Sequence, residues 1–153
     1  MSNIIHRAVR LRCDARAAFQ KFTAADQLTR WLAEDAEVEP KAGGKYELFW
    51  DAQEREKNST LGCRITAFEP DKLIAFDWKG PEQFRHFMNV ARPPTHVTIF
   101  FLPLPEGAGK ATEVHLIHTG WGDTPEWVEA RQWFEKAWGG AFESLKNQID
   151  EGQ

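Results

Sequence analysis

Long apolar runs are missing from this chain. No segment of its 153 residues approaches the roughly 20 consecutive apolar positions that a membrane-spanning helix needs. The N-terminal dodecapeptide, Met-Ser-Asn-Ile-Ile-His-Arg-Ala-Val-Arg-Leu-Arg, interrupts its apolar residues with Arg7, Arg10 and Arg12. It therefore lacks the continuous apolar core of a secretory leader. Excess positive charge is missing too: 19 Lys and Arg against 23 Asp and Glu give a net charge of -4, which supplies no basic field for nucleic acid or an anionic membrane surface. These absences lead us to expect a cytoplasmic protein with neither of those partners. Cysteine is scarce, and Cys13 and Cys63 have no C-x-x-C spacing, which excludes a disulfide framework and the usual zinc and redox sites. Both thiols are expected to be reduced and largely buried. Serine is scarce as well: Ser2, Ser59 and Ser144 fall at a terminus, in a polar stretch and on a helix, and none sits in a G-x-S-x-G elbow.

What is present describes a globular chain. With 42% hydrophobic and 27% charged residues, the composition is that of a folded protein, and the length suits one domain spanning residues 1–153. Alternation opens it: Ile5, Val9, Leu11 and Cys13 fall on one side of an extended segment, with Arg10 and Arg12 on the other. Asp14 is placed to cap a short helix carrying Ala15, Ala18, Phe19 and Phe22. Thr23, with Asp26 three positions on, predicts the cap of a second short helix whose apolar face is Leu28, Trp31 and Leu32.

From Ala36 to Thr119 the pattern is strand after strand. Tyr46, Leu48 and Trp50 alternate, and the polar stretch 51–60 reads as a hairpin loop. Leu61 to Phe68 and Leu73 to Trp78 form a pair joined by Glu-Pro-Asp-Lys. Thr95 to Leu102 and Thr112 to Thr119 form another, joined through Pro103 to Lys110. The faces of Leu61 to Phe68 stay ambiguous, because Gly62 and Arg64 disturb the alternation. Thr124 as N-cap and Pro125 at the first helical position start a last helix that runs to about Ile149. Its stripe is Trp127, Ala130, Phe134, Trp138, Ala141, Phe142, Leu145 and Ile149. Within it, residues 133–145 read Trp-Phe-Glu-Lys-Ala-Trp-Gly-Gly-Ala-Phe-Glu-Ser-Leu, so large rings are followed at once by a Gly-Gly pair. Each glycine weakens an isolated helix by about 1 kcal/mol relative to alanine, so this helix relies on packing. The missing side chains leave room for a bend or for close approach of another backbone. Runs of strands with helices only at the ends predict an α+β fold, an antiparallel sheet with its helices on one side.

The motifs Phe19-x-x-Phe22-Thr23, Leu28-x-x-Trp31, Gly43-Gly44, Gly62 with Pro70, Leu73 to Trp78, Thr112-Glu-Val-His-Leu-Ile-His118-Thr-Gly120-Trp121 and Trp138 with Phe142 and Leu145 come in an order that carries a resemblance. Together they resemble the START-like (SRPBCC) superfamily, in the branch named for the activator of the heat-shock-protein ATPase, over essentially the whole chain. That resemblance implies the helix-grip fold, also called birch-pollen-allergen-like. Its curved antiparallel sheet of about six or seven strands wraps a long C-terminal helix, two short helices follow strand one, and an elongated cavity lies between sheet and helix. It also implies a range of activities: binding of hydrophobic small molecules, cyclase or other enzyme chemistry, and stimulation of a chaperone ATPase. The co-chaperones that name the branch carry a further domain, which this chain has no room for. After Trp78 the sequence departs from the family pattern: the connection 79–94 is longer than a hairpin needs, and Phe84, Phe87 and Met88 in it have helical spacing. A lid, a loop tucked into the core edge and a dimer contact all fit.

Catalytic machinery does not stand out. Gly107-Ala-Gly-Lys-Ala-Thr lacks the spacing and the hydroxyl of a phosphate loop and reads as a hairpin turn. His115 and His118, three apart on a strand, face opposite ways and cannot share a metal ion without a bulge. We expect no catalytic residue, no metal and no cofactor. The candidate lining of the cavity is Tyr46, Leu48, Trp50, Ile74, Phe76, Trp78, Val97, Ile99, Phe101, Val114, Leu116 and His118 from the strands, faced by Phe134, Trp138 and Phe142 from the helix. The Tyr46 hydroxyl, the indole N–H groups of Trp50 and Trp78, and His118 would supply the polar contacts. The same rings could instead fill the interior completely. The leading expectation is non-enzymatic binding of a hydrophobic small molecule by a monomer or homodimer. Enzyme chemistry with His118 as acid or base and a chaperone partner are the weaker alternatives.

Overall fold

The computed structural model describes residues 3–105, 108 and 110–152. The turn at Gly107 and Gly109 lies partly outside them, as does Ser2. The first strand, β1 (Ile5–Leu11), leads into α1 (Ala15–Thr23) and α2 (Ala25–Trp31). Asp14 caps α1 as expected, accepting a 2.8 Å bond from the Ala17 amide. Thr23 does not cap α2: its hydroxyl turns back to donate to the Phe19 carbonyl, closing α1, and Ala24 occupies the cap position with no side-chain bond. The competing local bond to the preceding turn defeats the capping box.

The remaining strands are β2 (Asp35–Val38), β3 (Tyr46–Phe49), β4 (Ile65–Glu69), β5 (Leu73–Trp78), β6 (Thr95–Pro103) and β7 (Thr112–Thr119). They form an antiparallel five-stranded sheet in the order β1-β7-β6-β5-β4 and a two-stranded β2-β3 sheet. The two are nearly continuous. Bridges Lys45↔Arg64 and Phe49↔Ser59 join β3 to the chain before and at the start of β4. Between them the Thr60 hydroxyl stands in for a backbone partner, accepting from the Leu48 amide and donating to the Tyr46 carbonyl. β4 begins at Ile65 rather than Leu61 because Gly62 turns the chain at φ +88°, a conformation that favours glycine. A register shift between Ile65 and Ala67 follows.

In β6 and β7 buried residues alternate with more exposed ones, so Val97, Ile99, Phe101, Val114, Leu116 and His118 face inward. The connection after β5 forms a short 3-10 turn (Glu82–Phe84) and α3 (Arg85–Met88). Phe84 and Met88 are buried, and Phe87 is partly so, with its ring edge-on to Trp127. The long helix α4 (Pro125–Asp150) starts at Thr124, whose side chain accepts from the Trp127 amide. It packs against β1 and α2 and buries Ala130, Phe134, Trp138, Phe142 and Leu145 from the expected stripe.

Of the bend and the close backbone approach that the Gly-Gly pair in α4 allowed, the second is not found: the neighbour is a side chain. Arg7, on the inward side of β1, donates to the Glu135 carbonyl from Nε and Nη2 at 3.0 and 2.7 Å. A side chain at Gly139 would meet that guanidinium at 3.4 Å, whereas one at Gly140 would meet nothing within 4 Å.

Candidate functional site

Where the middle of α4 passes the end of β5, the packing opens into a cleft of about 410 Å³. Its helix wall is Trp133, Phe134, Ala137, Trp138 and Ala141. Trp133, Ala137 and Ala141 recur every four residues along one line of the helix, so two methyl groups leave space directly beside the rings. Trp31 and Leu32 close one end from α2. Opposite stand Trp50, just past β3, and Trp78, the last residue of β5, followed by Lys79, Gly80 and Pro81. Asn58, Ser59 and Gln83 complete the rim. Trp31, Trp50, Trp78, Trp133 and Trp138 are five of the chain's seven tryptophans.

The walls are held by ring packing. Trp78 contacts Trp50 edge-on at 5.9 Å and Trp138 at 5.1 Å, and Trp133 packs against both Phe134 and Phe84. Such pairs add about 0.5–1.5 kcal/mol each beyond the area they bury. The 51–60 loop is tied down by Arg55, which pairs with Asp35 and Glu37 of β2 and lies 4.2 Å from the centre of the Phe49 ring. The hydrogen bond from Arg55, reinforced by Lys45, holds the Glu37 carboxyl below its ordinary range. Asn58 in that loop accepts from the Glu82 amide at 2.8 Å, fixing the rim on the far side.

Of the candidate lining residues, the structure brings Trp50, Trp78, Phe134 and Trp138 together around this cleft. Tyr46, Leu48, Ile74, Phe76, Val97, Ile99, Phe101, Val114, Leu116, His118 and Phe142 lie in the closed core instead, none more than 3% exposed. The Tyr46 ring stacks on Phe76 at 3.9 Å, and its hydroxyl already donates to the Phe22 carbonyl at 2.7 Å. His118 sits behind the helix wall among Trp78, Trp121, Phe134 and Trp138. Its Nδ1 accepts the Trp138 indole N–H at 3.0 Å, so the ring proton belongs on Nε2, which has no hydrogen-bond partner among the described residues. Burial first, and the His96 charge second, push its pKa down to about 3. The imidazole is therefore neutral at ordinary pH and orients Trp138 from behind.

His115 lies on the other face of β7, where it bonds His6 at 2.9 Å and Glu113 at 2.8 Å. Cys63 is buried, which raises its pKa to about 12, and Cys13 is half-buried. Among the described residues, no three His, Cys, Asp or Glu side chains are placed to hold a metal ion.

The cleft is also lined by Trp31, Leu32, Asn58, Ser59, Lys79, Gly80, Pro81, Gln83, Trp133, Ala137 and Ala141, none of which the sequence placed at a cavity. Most of these lie in loops, where no periodicity operates. Trp133 and Ala137 lie just off the apolar stripe of α4, and the tryptophan–alanine–alanine spacing of four was the readable signal.

The family model for Activator of Hsp90 ATPase homolog 1-like protein matches residues 12–150. The chain belongs to this family. Solved structures share its fold at low identity. A Mesorhizobium loti protein superposes at TM-score 0.74 with 18% identity over 98% of each chain. The Aha1 dimer from Colwellia psychrerythraea gives 0.68 and 16%, over 96% of this chain and 95% of that one. An HSP90 activator from Plasmodium falciparum gives 0.66 and 22%, over 90% and 88%. No curated protein sequence matches significantly. At these identities the likeness establishes the helix-grip fold of the family, with α4 against the sheet, and leaves function to the site.

Proposed function

We propose that this family member binds a hydrophobic small molecule, without chemical conversion, in the tryptophan-walled cleft between α4 and the end of β5. The observation that carries this reading is the gathering of five indoles around one hollow of about 410 Å³, a size in the range of small-molecule sites. Removing apolar ligand surface from water supplies the affinity, at roughly 25 cal/mol per Å². Ala137 and Ala141 set the depth of the hollow. The test is titration with a neutral hydrophobic fluorophore such as N-phenyl-naphthylamine. The wild-type protein is expected to bind it, and Ala141→Phe, which fills the hollow from the helix side, to weaken binding by at least about tenfold, or ~1.4 kcal/mol. Failure of a panel of such probes to bind at all would remove the proposal.

Acid–base catalysis by His118 has less support, because the ring is enclosed and uncharged and its Nδ1 is already engaged by Trp138. A second reading, association with a chaperone ATPase, rests on the family description and on the HSP90 activator among the structural relatives. Capture of such an ATPase in a nucleotide-dependent manner, undiminished in Ala141→Phe, would favour an outer surface over the cleft.

A further inference from the structure

Lys79, Asn58 and the Trp78 indole leave donors unspent around the cleft, beside the Gln83 amide, which can donate or accept, and the Ser59 hydroxyl, whose proton is already used, and those unspent donors select a ligand. Among the described residues no Asp or Glu lines the cleft, and Lys79 is the one charged residue that does. Among the described residues Lys79 makes no ion pair: its Nζ donates to the Leu61 carbonyl at 2.6 Å. That single bond leaves two of the three ammonium protons for another acceptor. Asn58 uses its side-chain carbonyl on the Glu82 amide, which leaves its amide N–H groups as the part able to meet a ligand. The Trp78 indole N–H, at the junction of β5 and Lys79, is buried and has no acceptor among the described residues. Ser59, the rim hydroxyl, already donates to the Arg55 carbonyl.

Resting on the binding function proposed above, we infer that the ligand is a planar aromatic carboxylate, its rings between the indoles and its carboxylate at Lys79 and Asn58. The ring system follows from walls made of flat indole faces and edges, which pack against flat apolar surfaces. The anionic end follows from the unpaired ammonium, since a charge-assisted bond at a half-apolar rim is stronger than a neutral one. Lys79 and Ser59 also border a second, more polar hollow on the outer side, lined by Glu56, Glu82, Arg85 and His86 among others. Arg85 and Glu82 pair there at 3.5 Å, which leaves Glu56 as the acid that limits how far an anionic group extends outward. The carboxylate is therefore placed at the boundary between the two hollows.

The experiment compares naphthoate, methylnaphthalene and naphthylmethylammonium, which share the ring system and differ in charge, by quenching of tryptophan fluorescence in the intact chain. Naphthoate is expected to bind about tenfold more tightly than methylnaphthalene, with the ammonium weakest. In Lys79→Met the ratio of naphthoate to methylnaphthalene affinity should fall towards one, and Lys79→Arg should restore most of it. Equal binding of naphthoate and methylnaphthalene, or a preference that survives Lys79→Met, overturns the inference and leaves the hydrophobic site standing. Absence of binding by all three overturns both.

Discussion

At the scale of single residues, His118 and Tyr46 illustrate how a polar group inside an apolar fold is committed to structure. His118 is fully buried and its pKa is lowered from 6.5 to about 3 by burial and by His96. The unfolded chain accepts this proton near pH 6.5 and the folded one only near pH 3, so unfolding takes up a proton between those values. Stability is therefore complete above pH 6.5 and declines as pH falls, by up to ~1.4 kcal/mol per pH unit from this group. Between pH 7 and pH 5, urea unfolding of the wild type should lose about 2 kcal/mol more than that of His118→Gln, which keeps an acceptor for Trp138 and cannot titrate. Parallel losses in the two proteins would place His118 in a wetter setting than the structure gives it. Tyr46→Phe strands the Phe22 carbonyl at the end of α1 and is expected to cost about 1–2 kcal/mol in the same assay. Residue identity alone marked both as possible ligand contacts. Their partners, an indole from α4 and a carbonyl from α1, are distant in sequence and so were not legible there.

At the scale of elements, local rules worked where the signal was local. Asp14 and Thr124 cap the helices expected of them, and alternation placed β5, β6 and β7 within a residue of their ends. They failed where a non-local partner decides the outcome. Thr23 turned back to Phe19, and β4 was shortened by the Gly62 turn. In α4 the Gly-Gly pair suggested a bend or close backbone contact, but only Gly139 faces a neighbour, the Arg7 side chain. Gly140 faces open space, so Gly140→Ala should raise stability by about 0.5–1 kcal/mol through helix propensity, read as a higher urea midpoint. A destabilised variant would reveal a bend at this position that alanine cannot follow. The connection after β5 tucks Phe84 beneath Trp133. Phe84→Ala is expected to cost about 3 kcal/mol and also to weaken binding of the neutral fluorophore, because Trp133 loses its backing. Unchanged binding in a destabilised Phe84→Ala would separate this segment from the cleft.

At the scale of the whole molecule, the container was legible in the sequence, and of its two readings of the interior, a lined cavity or a filled core, the structure shows the filled core along most of the strands. The inward faces of the strands were readable from their period, and those residues fill the core: rings from α1, β3, β5, β6 and α4 meet there and leave the interior closed. The hollow lies instead at one end, where β3 and β5 finish and α4 carries alanines between tryptophans. Strand periodicity identifies which side chains point inward; it does not say how completely they fill the space they share. Among the described residues no helix is long and apolar enough to cross a membrane.

In the proposed function the tryptophan cleft, and not the closed interior, receives the ligand. The seven indole N–H resonances of isotopically labelled protein test it most directly, because Trp31, Trp50, Trp78, Trp133 and Trp138 line the cleft and Trp121 and Trp127 do not. On titration with the neutral fluorophore, the largest shifts should fall among those lining residues, while Trp121 and Trp127 move least. Shifts confined to Trp121 and Trp127, or seven unmoved resonances at saturating probe, would contradict it.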